Sequence, residues 1–123
     1  MAIMTEQQAK ELLTRVLSFS KADEAQANLN GSNEGNIRYA RNTVSTAGEV
    51  SDVTLAVSSS FGKQTGVATI NEFDDASLEK VVRRSEELAR LAPENPEHMP
   101  NVGKQEYGKS NGWFESTASI TPE

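Results

Sequence analysis

The sequence predicts an α+β fold of two layers, with about four mainly antiparallel strands in one sheet and two long helices on one of its faces. Three observations predict it. An amphipathic helical stripe opens the chain, and a second closes its patterned part. Between them, apolar residues recur with the period of two that marks half-buried strands. The expected order is α-β-β-β-β-α, followed by an extended carboxy-terminal arm.

The first helix begins at Thr5 and Gln8, which stand at capping-box spacing, T-x-x-Q. Behind them Ala9, Leu12, Leu13, Val16 and Leu17 fill one helix face. Glu6–Lys10 and Glu11–Arg15 are i,i+4 pairs worth about 0.2–0.5 kcal/mol each, so the apolar stripe decides the assignment. From Ala22 to Asn30 the pattern changes. Ala25, Ala27 and Leu29 fall on one side and Glu24, Gln26, Asn28 and Asn30 on the other, as in a strand. Gly31-Ser32-Asn33-Glu34-Gly35 consists of turn-forming residues, so a hairpin loop is expected there. It leads to a short second strand, Asn36 to Arg41, carrying Ile37 and Tyr39. Asn42 to Gly48 reads as irregular.

The third strand is expected from Val50 to Ser60, with Val53, Leu55 and Val57 on one face. Phe61-Gly62-Lys63 reads as a tight turn. The fourth strand runs from Gln64 to Asn71, and Gly66 inside it marks either a bulge or a close backbone approach. Asp74 or Asp75 can cap the second helix. Its stripe is Leu78, Val81, Val82, Ser85, Leu88 and Ala89, flanked by the pairs Glu79–Arg83 and Glu86–Arg90. Pro93 stops it. Beyond it three prolines fall close together and no period returns. Residues 1–92 therefore read as the folded unit. Residues 93–123 read as a linker or arm toward a carboxy-terminal domain absent from this chain, since so long a structureless stretch is unusual inside a compact domain.

Composition narrows the function classes. The 123 residues suit one domain, and the modest apolar share of 36% fits a chain partly outside its core. Acids outnumber Lys and Arg by 18 to 12, for a net charge of −6, with no basic patch to neutralise phosphates. Nucleic acid and anionic membrane are not expected as partners. The absence of cysteine removes disulfides, thiolate nucleophiles and Cys–zinc sites. The amino terminus has no apolar signal region and no run reaches transmembrane length, so a cytoplasmic location is expected.

The inventory for catalysis is empty. His98 is the only histidine, so neither H-E-x-x-H nor any two-His zinc site can be built. It stands between Pro96 and Pro100, where a solvated linker residue is the plain reading. A Ser-His-Asp triad would also need it, and no G-x-S-x-G elbow is present. No phosphate-binding glycine motif occurs, since Gly31 and Gly35 bracket a strand-to-strand connection. Asp74-Asp75 precede a helix and read as caps. Glu86-Glu87 read as solvated surface. No catalytic and no metal-binding residue is assigned. The one cluster with recognition chemistry is Arg38, Tyr39, Arg41 and Asn42, two guanidinium groups with a phenol and an amide at a strand end. Arginine forks suit carboxylates, so the cluster could hold a peptide terminus or a partner's acidic side chain. The competing reading is an edge strand guarded by charge.

The succession of the Glu6–Leu17 helix, the Ala22–Asn30 strand, Ile37-Arg38-Tyr39-Ala40-Arg41-Asn42, the strands around Gly62 and Gly66, and Asp74-Asp75-Ala76-Ser77-Leu78-Glu79-Lys80-Val81-Val82 resembles the amino-terminal domain of the TldD/PmbA family, once called modulators of DNA gyrase. Tyr107, Ser116-Thr117-Ala118 and Ile120-Thr121-Pro122-Glu123 look like that family's linker. The resemblance implies a peptidase or peptidase-like subunit acting on peptides and small unfolded proteins, assembled as homo- or heterodimers around an enclosed cleft. Catalytic members carry an H-E-x-x-x-H zinc helix and a further ligand in the carboxy-terminal half. No segment here matches those ligands, so zinc is expected only in the absent part. The chain is then expected to be a non-catalytic amino-terminal domain, or a fragment from a longer or split gene, that shapes the substrate cleft and the dimer interface. The alternative is a stand-alone peptide- or protein-binding module working through the exposed sheet edge at Asn36–Asn42.

Overall fold

The computed structural model describes residues 3–121. Met1 and Ala2 lie outside the described residues, as do Pro122 and Glu123 at the end of the expected arm. The elements are α1 (Glu6–Ser18), β1 (Glu24–Ala40), β2 (Thr43–Phe61), β3 (Gln64–Ile70), α2 (Asp75–Leu91) and the short α3 (Glu115–Ala118). The sheet has three strands in the order β1-β2-β3, antiparallel throughout.

The fold is α+β, but among the described residues the sheet has three strands where four were expected. The two strands expected from Ala22 to Asn30 and from Asn36 to Arg41 are one continuous β1. The expected loop at 31–35 lies inside it, paired residue for residue with Val53 to Glu49 of β2. Asn42–Gly48, expected to be irregular, supplies the turn and the start of β2. Turn-forming residues permit a reversal without compelling one, and here the cross-strand ladder overrides them. The reversal falls instead at Arg41-Asn42, where both residues take positive φ, 53° and 59°. That is the two-residue hairpin turn whose twist matches the flanking strands. The second hairpin turn follows expectation: Gly62, at φ 57°, sits between the paired Phe61 and Gln64.

The core forms on one face of the sheet. Leu12 and Val16 of α1, Leu55 and Val57 of β2, and Leu78, Val81 and Val82 of α2 are buried together. Ala27, Leu29, Ala68 and Ile70 extend the apolar layer across the neighbouring strands. Both helix starts are capped: Thr5 and Gln8 form the full capping box, and the Asp74 side chain accepts the Ser77 N–H at 3.1 Å. Gly66 is a close approach, since an added Cβ would run into the α2 backbone at Ser85, Leu88 and Ala89. A hydroxyl pair sits beside it, with Ser59 and Ser85 2.8 Å apart and Ser85 also donating to the Val82 carbonyl.

Three charge assignments differ from expectation. Glu86, expected on the solvated surface with Arg90, is 5% exposed. It pairs with Arg83 and accepts the Lys21 N–H, while Arg83 donates to the Phe19 carbonyl. Arg90 instead lies over the Phe61 ring, 4.5 Å from its centroid. Arg15 pairs with Asp75 at 3.2 Å and donates to the Phe73 carbonyl, leaving Glu11 to accept from Gln7. In each case a tertiary partner displaces an i,i+4 contact of small worth.

After α2 the chain does not leave the sheet at once. Gln64 donates to the Ala92 carbonyl at 2.6 Å, and the Asn95 N–H donates to the Lys63 carbonyl at 3.0 Å. His98, expected as a solvated linker residue, stands 3.4 Å from the Glu24 carboxylate with its side chain 19% exposed. The Asn101 N–H also donates to Glu24. From residue 101 onward every described residue is exposed, α3 included.

Candidate functional site

The feature that stands apart from the core is the distal half of the β1–β2 hairpin. β3 pairs with β2 only between Leu55 and Phe61. Past that limit, residues 31–40 and 43–52 form a two-stranded ribbon in which every residue but Gly48 is exposed. Ten residues at a rise of about 3.3 Å extend the ribbon roughly 30 Å.

Alternation places Gly31, Asn33, Gly35, Ile37 and Tyr39 of β1 on the face continuous with the helix-covered side. Asn30, Ser32, Glu34, Asn36 and Arg38 lie on the open side. Near the tip the register shifts between Arg38 and Tyr39, because Ser45 is an extra residue in β2. The Ser45 hydroxyl donates to the Arg38 carbonyl at 3.0 Å. Tyr39 faces Val44 across the ladder, and the two are 74% and 59% exposed.

The structure therefore brings the four cluster residues to one place, the ribbon tip. Arg38 and Tyr39 are the last positions of β1 before Ala40, on opposite faces, and Arg41 and Asn42 are the turn itself. Among the described residues neither arginine forms an ion pair. Apolar side chains that the cluster did not include, Ile37, Val44 and Val50, are exposed along the same ribbon. Their signal in the sequence was the mixture of single apolar residues with Asn, Ser and Gly, too sparse to set a period. An open hollow of about 490 Å³ lies between Asn33–Gly35, Glu49–Ser51 and the carboxy-terminal Ala118 and Ile120.

Asp74 and Asp75 are occupied in capping and in pairing with Arg15. The neighbouring Ser77, through its side chain and the backbone N–H that Asp74 accepts, holds the Asp74 carboxyl below the usual aspartate range, while the Ser77 hydroxyl donates to Glu72 at 3.1 Å. The Lys10 ammonium bonded to Glu6 lowers that carboxyl too. Among the described residues no three His, Cys, Asp or Glu side chains are clustered as a metal ion requires. No helix among them is long and apolar enough to cross a membrane.

These features define a two-layer α+β domain that offers a projecting ribbon for contact. The family model for the PmbA/TldA metallopeptidase domain 1 matches residues 25–89, more than half of the chain. The chain belongs to this PmbA/TldD metallopeptidase family, as its first domain. Among solved structures it is similar to the crystal structure of TldE from Thermococcus kodakarensis, with a TM-score of 0.65 and 19% identity. The match covers 84% of this chain and 24% of that one, so the chain spans about a quarter of TldE. At that identity the likeness shows a common fold. No curated protein matches the chain.

Proposed function

We propose that this chain is the non-catalytic first domain of a TldD/PmbA-type peptidase subunit, walling a substrate cleft and contributing to a subunit interface. The observation that carries the proposal is the family match over the sheet and α2, joined to a projecting ribbon. In this reading residues 93–123 connect to a second domain in the cytoplasmic parent protein. That domain holds the zinc, as the family resemblance implies. Peptides or unfolded proteins are the substrates of the whole assembly, and a like subunit is its partner.

Two measurements test it. The purified chain, supplied with zinc and a labelled unfolded protein, is expected to release no fragments. The reading frame is expected to continue past the codon for Glu123 into a longer protein. Chelator-sensitive proteolysis by the chain alone would overturn the reading.

A second reading has its own supporting observation. β1 is 17 residues long and, among the described residues, pairs in the sheet with β2 alone, so the other edge of its Gly35–Tyr39 stretch suits strand addition by an extended peptide. Arg38→Ala and Arg41→Ala are each expected to weaken binding of an acidic peptide. Unchanged affinity in both variants removes this reading.

A further inference from the structure

We infer that the free edge of β1 pairs with the same edge of a second copy of this chain, antiparallel, about a twofold axis at Asn36. The inference rests on the reading of this chain as part of a dimeric protein, and it names the surface.

The first argument is exposure. A two-stranded ribbon is marginal on its own in water, and three or more strands are needed for independent stability. A long unblocked edge is a template for another chain. Two ribbons joined edge to edge become four strands, with the exposed Ile37 and Tyr39 inside the new sheet rather than at its margin.

The second argument is charge. Between Ala25 and Ala40, β1 carries two charged residues, Glu34 and Arg38. Placed antiparallel with Asn36 against its own copy, Glu34 faces the partner's Arg38 and Arg38 faces the partner's Glu34. The axis makes both pairs from one choice of register, as an isologous interface requires. In the same register Ile37 lies opposite the partner's Gly35, which has no side chain to compete with it. The distal edge of β2 behaves differently. Its charged residues are Glu49 and Asp52, both acidic, so no self-pairing of that edge brings opposite charges together. β3 offers seven residues and no charge to set a register.

The third argument is backbone geometry. The residues flanking a two-residue turn, Ala40 and Thr43 here, exchange backbone hydrogen bonds. Alternation then aims the N–H and C=O groups of Gly35, Ile37 and Tyr39 away from β2. Gly35 and the partner's Ile37 therefore meet as a hydrogen-bonded pair. Asn36 and its copy meet as a non-hydrogen-bonded pair, with Cα atoms about 4.5 Å apart, within reach of a disulfide.

The test is sedimentation of the full 123-residue chain over a wide concentration range, with Glu34→Arg, Arg38→Glu and the double exchange. The wild-type chain is expected to dimerise. Each single exchange sets like charges opposite each other twice per dimer and is expected to weaken association about tenfold or more. The double exchange restores opposite pairs and is expected to recover it. Asn36→Cys, the sole cysteine in its variant, is expected to cross-link the dimer on mild oxidation, while Thr69→Cys on β3 is not. Circular dichroism checks that these exposed substitutions leave the fold intact. A dimer indifferent to the single exchanges, or a failure of Asn36→Cys to cross-link, overturns this surface and leaves the dimeric reading standing. A chain monomeric at every concentration removes both. Growth beyond dimers would show head-to-tail addition to β2 and would also overturn the twofold arrangement.

Discussion

Gly66 of β3 lies directly beneath Ala89 of α2, so close that the helix backbone occupies the place a Cβ would take. The carbonyl carbon of Leu88 would stand 2.7 Å from that atom, with the Ala89 nitrogen and Ser85 oxygen nearer still. Backbone cannot swing aside as a flexible side chain can. Gly66→Ala therefore has to lift α2 off the sheet and loosen Leu78, Val82 and Leu55 beneath it. Overpacking of this kind costs about 1–3 kcal/mol, and the backbone clash places this case at the upper end. Urea unfolding is expected to show a lowered midpoint. An unchanged midpoint would mean that the helix shifts freely.

Glu86 is the buried counterpart of that contact, at the other margin of α2. Its carboxylate ties α2 to the loop before β1 through the Lys21 N–H, and to Arg83, which reaches the Phe19 carbonyl. Glu86→Ala strands a backbone donor and leaves Arg83 one partner fewer. Hydrogen bonds to a charged group are worth about 1.5–3 kcal/mol, and Arg83 keeps some solvent, so the loss is expected near the lower half of that range. Glu86→Gln keeps one acceptor and should cost less. Thermal unfolding of the two variants checks the order.

These two positions show what could be read in advance. Gly66 stood out as a glycine within a strand, and the choice between bulge and close approach needed the helix above it. Glu86 lies four residues after Val82 and eight after Leu78, on the buried stripe itself, so its burial was open to inspection. Its charge masked the spacing. Both long helices, their caps and the core strands were legible because a core imposes a period. The distal ribbon was not, since residues 31–40 and 43–52 are solvated on both faces and no burial imposes alternation on them. For the tip the sequence pointed to Arg38, Tyr39, Arg41 and Asn42, but it hid that Arg41 and Asn42 make the turn. Arg-Asn is not among the pairs that announce one.

Asp74 links the α2 cap to pH. Its carboxyl, held by the neighbouring Ser77, titrates below the usual aspartate range in the folded chain. A group depressed on folding contributes stability above its unfolded pKa and loses it as pH falls through the folded one. Glu6, lowered by Lys10, has the same sign. The melting temperature is therefore expected to fall on acidification below the ordinary carboxylate range. Asp74→Asn keeps a capping side chain and removes the titration, so its curve should be flatter there. Parallel curves for the two proteins would show that the cap does not contribute to the acid response.

Arg41 holds a backbone conformation that a glycine would hold more easily. Its φ of 53° places a long side chain in the left-handed region, at a cost of about 1 kcal/mol for an L residue. Arg41→Gly removes that strain and adds freedom to the unfolded chain, so the net gain is expected between a few tenths and about 1 kcal/mol. Amide exchange at Ala40 and Thr43, the pair that flanks the turn, should slow. If the guanidinium serves recognition, the same substitution weakens binding of an acidic ligand while it steadies the hairpin, the opposition expected where strain is kept for contact. Faster exchange in the variant would mean that the Arg41 side chain itself supports the turn, and that its conformation carries no such trade.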